Sequence, residues 1–77
     1  MSAATRYWQA LAKAHMAQAE AHRLFAEAAR LSGRSDETTL AAIAHHDAQR
    51  GYAEKRAEEA NSFATWPATP LALVSEA

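Results

Sequence analysis

Four histidines, His15, His22, His45 and His46, are the side chains whose type and spacing come closest to chemistry in this chain. A zinc or other transition-metal site needs several neutral imidazoles or carboxylates converging at about 2 Å. A spacing of seven puts His15 and His22 on one side of a helix, and a chain folded back on itself brings His22 opposite His45 and His46, with Asp47 or Gln49 nearby. The ligand patterns that make such sites work are nevertheless missing. There is no His-Glu-x-x-His and no Glu-x-x-His pair, and the adjacent His45 and His46 project about 100° apart on a helix. The expectation is therefore no metal and no cofactor, with the imidazoles hydrogen-bonded at a polar seam or lying in solvent.

Other catalytic constellations are weaker still. The chain has no Cys, its Ser residues fall in turn, cap or terminal contexts, and no Gly-rich loop is present to cradle a phosphate. A helical hairpin also has little concavity from which to exclude water. The sequence does not read as an enzyme.

The elements that position these residues follow from periodicity. From Ala4 to Leu31 the chain is built of strong helix formers without Gly or Pro, which predicts a first helix over about 4–31. Ser32-Gly33-Arg34-Ser35 predicts the turn, with Gly33 at a left-handed helix end and Ser35 or Asp36 as the next N-cap. A second helix is expected over about 36–61, opening on Asp36 and Glu37 at the positive end of the helix dipole. Residues 1–61 thus form a hairpin. Residues 62–77 are read as an extended tail, because Pro67 and Pro70 exclude a continuous helix while Phe63, Trp66, Leu71, Leu73 and Val74 remain apolar.

An apolar seam at alternating spacings of four and three runs along the first helix through Ala3, Tyr7, Ala10, Ala14, Ala17, Ala21, Leu24, Ala28 and Leu31. It is expected to pack helices together, within the hairpin or between two copies. The matching face of the second helix reads Leu40, Ala41, Ala44, Ala48 and Tyr52, with Ile43 at its margin, whereas Ala53, Ala57 and Ala60 lie on another face beyond Gly51. A short turn makes the helices antiparallel and brings together residues whose numbers sum to roughly 68 to 71. Near the turn, Leu24, Phe25 and Leu31 are then expected to meet Leu40, Ile43 and Ala44 as the main core. At the open end, Tyr7, Trp8 and Leu11 approach Phe63 and Trp66.

Composition narrows the partners. Seventy-seven residues are close to the size at which one core barely offsets conformational entropy, and Ala-rich contacts remove little area from water, so self-association is expected. Leu11 and Phe25 lie on one flank of the first helix and Trp8, Ala12, Met16 and Ala19 on another, more apolar surface than one hairpin covers. The architecture this implies is all-α: an antiparallel hairpin with an extended C-terminal tail, pairing with a second copy into a four-helix bundle.

A net charge of -1 with interleaved signs has no footprint for nucleic acid or anionic lipid, and no apolar run is long enough to span a bilayer. The absence of Cys and of a signal-peptide pattern makes the cytoplasm the expected compartment. Ala29 and Gly33 have the spacing of a helix-turn-helix, but Ser32, Arg34 and Thr39 stand where that motif wants apolar side chains. The small secreted WXG-type hairpins are excluded as kin, because the turn has no Trp-x-Gly and Arg56 follows Tyr52 where an acid would be needed.

What remains is a non-enzymatic regulator or inhibitor that occludes a larger protein, such as a mobile-element product that blocks a bacterial defence factor. Tyr7, Trp8, Leu11, Phe63, Trp66, Leu71 and Leu73 are its expected contacts. The competing expectations are a structural subunit of a homo-oligomer and a helical protein that binds a metal through its histidines or binds nucleic acid.

Overall fold

The computed structural model describes residues 2–66 and contains two helices, α1 (Ala3–Leu31) and α2 (Glu37–Thr65), packed antiparallel. Each begins on a side-chain cap that satisfies an otherwise orphaned backbone donor. For α1 the cap is Ser2, whose hydroxyl accepts the Thr5 N–H at 3.1 Å. For α2 it is Asp36, which accepts the Thr39 N–H at 3.3 Å and the Thr39 hydroxyl at 2.6 Å. α1 ends where Gly33 takes a φ of 71°, a left-handed conformation that a Cβ disfavours, with the Gly33 N–H donated to the Arg30 carbonyl.

α2 runs four residues beyond the expected end at Asn61, through Ser62, Phe63, Ala64 and Thr65. It stops at Trp66, whose ψ of 141° is the extended conformation imposed on a residue that precedes proline. Gly51 does not interrupt the helix. The rest of the expected tail, including Leu71 and Leu73, lies outside the described residues.

The helices meet through a different stripe from the expected one. The buried residues are Ala4, Ala12, Ala19 and Ala26 of α1 and Ala53, Ala57 and Ala60 of α2, all alanine. Ala10, Ala14, Ala17, Ala21, Leu24, Ala28 and Leu31 are exposed on the far side of α1, and Leu40, Ala41, Ala44, Ala48 and Tyr52 are exposed on α2. The predicted core at the turn does not form. Leu24, Phe25, Leu31 and Leu40 are 49–80% exposed, and Ile43 is half-buried.

The physical reason lies in the side chains that flank each stripe. Rotating α1 onto Ala12, Ala19 and Ala26 places Trp8 against Phe63, His22 against His46 and Arg30 against Asp47, pairing large, polar and charged groups across the interface. The expected stripe would have put Leu24 and Leu31 between the helices and held their backbones apart. Small alanines allow close approach, but they bury little area. No large side chain is fully buried among the described residues.

Candidate functional site

Two groups of side chains stand out on this scaffold, and both occur at the register expected for the hairpin. Midway along, His22 Nδ1 and His46 Nδ1 lie 2.9 Å apart, half-buried between the helices. A hydrogen bond between two imidazole nitrogens needs a proton on one and a lone pair on the other. Phe25 stacks on His46 at 5.1 Å between centroids, and His45 stands edge-on to both His22 and His46. His15 is separate and pairs with Gln18 at 2.8 Å. Of the four histidines, three gather and one does not. Among the described residues no three His, Asp or Glu side chains converge to hold a metal ion.

At the open end, aromatic rings form a continuous ladder. Tyr7 meets Trp8 edge-on at 5.1 Å, Trp8 meets Phe63 at 4.7 Å, and Phe63 meets Trp66 edge-on at 4.7 Å. The ladder exists because α2 continues to Thr65, which carries Phe63 and Trp66 over the first two turns of α1. Trp66 is 49% exposed, whereas the Trp8 indole N–H is buried without a hydrogen-bond partner. An orphaned buried donor is an uncompensated desolvation, and such groups mark places where a structure is incomplete or strained.

Beside the ladder, Trp8, Leu11, His15, Tyr52, Arg56 and Phe63 line a groove of about 330 Å³. Arg56 donates to the Tyr52 hydroxyl at 2.9 Å and to Glu59 at 3.2 Å, and its guanidinium sits 5.2 Å from the centre of the Tyr52 ring. Tyr52, Arg56 and His15 were not anticipated as neighbours of the aromatic end. The antiparallel register carried the signal, since it sets His15 opposite Arg56 much as it sets Trp8 opposite Phe63.

The opposite flank is charged. Arg30 reaches Asp47 across the helices at 2.6 Å, Arg23 pairs with Glu20 and Glu27, and Arg50 pairs with Glu54. Asp47 is thus at the edge of the interface. The Arg23 guanidinium bonded to Glu20 holds that carboxyl below its ordinary range. All these pairs are substantially exposed, where ion pairs contribute little to stability.

The molecule thus belongs to the class of antiparallel two-helix hairpins, with an aromatic groove that includes the Arg56–Glu59 pair on one flank and the pairs of Arg23, Arg30 and Arg50 on the other. No family model, curated protein or solved structure matches the chain. No described helix is long and apolar enough to cross a membrane.

Proposed function

We propose that this chain is a small non-enzymatic regulator that docks on a larger protein through its aromatic end and acts by occluding the surface it covers. The observation that carries this reading is the ladder Tyr7, Trp8, Phe63 and Trp66, which concentrates the chain's rigid aromatic area at one tip and leaves Trp66 half exposed. Large aromatics contribute most of the energy at protein interfaces because they bury much area and lose few rotamers on binding. In the same reading the chain self-associates, since a buried core of alanines alone leaves Met16, Leu24, Phe25, Leu31, Leu40 and Tyr52 exposed.

The test is affinity capture by the full chain beside a Trp66→Ala variant, with helicity followed by circular dichroism. A partner retained by the parent and lost by the variant, at equal helicity, is the expected result. Equal capture by both removes the aromatic tip from the binding surface. A structural-subunit role, favoured by the exposed Leu24, Leu31 and Leu40, predicts instead that mass grows beyond a dimer with concentration.

A further inference from the structure

One long flank of the hairpin carries both an exposed ring, Phe25, and a groove. Leu11, Gln18 and Phe25 are successive heptad positions of α1, and His45 and Tyr52 are successive heptad positions of α2, so each set lies along one side of its helix. Leu11 and Tyr52 line the groove, and Phe25 and His45 both pack on His46, so the two sets face the same flank. Phe25 is 58% exposed, and the residue midway between it and Leu11 is the uncharged Gln18. The Arg56–Glu59 pair lies at the groove, and the pairs of Arg23, Arg30, Asp47 and Glu54 occupy the other flank, where Met16 and Asn61 also face one shallow depression.

We infer that two copies pair through the Leu11, Gln18, Phe25 flank about a two-fold axis crossing α1 at Gln18, so that Phe25 of each copy enters the groove of the other. Each step from Leu11 to Gln18 and from Gln18 to Phe25 is about 10.5 Å along the helix, so rotation about Gln18 exchanges Phe25 with Leu11. The contact is therefore self-complementary, as a closed dimer requires. It sets α1 antiparallel to its copy and Tyr52 near its own copy, giving four helices in alternating directions. The long side of the molecule measures 49 by about 17 Å, close to the footprint of ~800 Å² per partner that a stable interface covers. This inference rests on the self-association reading above and selects one surface for it.

Sedimentation of the full chain, alone and as Phe25→Glu, Ala17→Glu and Met16→Glu, tests it. The expected result is a dimer for the parent, Ala17→Glu and Met16→Glu, and a monomer of unchanged helicity for Phe25→Glu. Because the chain has no Cys, Gln18→Cys supplies an independent readout. Its two copies are expected to join by a disulfide under mild air oxidation, two thiols losing two hydrogens to oxygen, while Ala17→Cys cross-links far less. A monomeric parent overturns self-association altogether. A dimer that survives Phe25→Glu but is lost in Ala17→Glu or Met16→Glu overturns this surface alone and moves the interface to the outer stripe of α1 or the charged flank. If Phe25→Glu does not fold, the Gln18→Cys cross-link decides: its absence in a dimeric chain overturns the axis.

Discussion

At the scale of single residues, the chain's polar side chains work at helix ends and at one seam. Asp36 is the clearest case. The Thr39 hydroxyl bonded to its carboxylate, helped by the Thr39 N–H and by Arg34, holds its carboxyl below the ordinary value. A carboxyl depressed in the folded state contributes stability above its unfolded pKa, and that stability is lost as pH falls through the folded value. Melting temperature is therefore expected to drop in the acid range below pH ~4. Asp36→Asn, which caps without titrating, should flatten that drop when melts are followed by circular dichroism across pH. His22 makes a second test. Replacing it by Ala leaves His46 Nδ1 without its partner and should destabilise by about 1 kcal/mol, read in the same melts. The two glycines should respond in opposite directions. Gly33 at φ 71° resists a Cβ, so Gly33→Ala is expected to cost about 1 kcal/mol. Gly51 lies inside α2 with open space around it, so Gly51→Ala should add about 0.5–1 kcal/mol.

At the scale of elements, both helices were legible in the sequence to within a residue or two, apart from the end of α2. Caps, a turn glycine and an unbroken run of helix formers are local signals, and local backbone energetics answer to them. The face each helix buries was not legible. α1 carries two alanine stripes, and a small side chain reads the same whether it faces a partner helix or water. The choice between them depends on what the other helix presents: Phe63 for Trp8, His46 for His22, Asp47 for Arg30. This assignment predicts a contrast. Ala19→Leu overpacks the close interface and should destabilise by about 1–3 kcal/mol, whereas Ala17→Leu on the exposed stripe should leave the melting temperature nearly unchanged.

At the scale of the whole molecule, a core of seven alanines beside exposed Phe25, Leu31 and Leu40 makes an isolated hairpin weakly held. Any partner that binds only the folded form then adds directly to its stability, so the melting temperature should rise with chain concentration if copies pair and stay constant if they do not. The candidate site was half legible. The aromatic end was expected from the register, but the groove formed by Tyr52, Arg56 and His15 appeared only once α2 had been rotated onto its alanines. By itself, the sequence determined two helices, their turn, their antiparallel direction and the absence of any recognised catalytic or metal-ligating motif, because composition, capping and chain connectivity act locally or topologically. Only the tertiary structure decided which stripe became the core, which flank took the charges and which large side chains stayed in water. Those outcomes depend on how both helices rotate together, and alanine, alike in either environment, leaves that rotation to the few large and charged residues beside it.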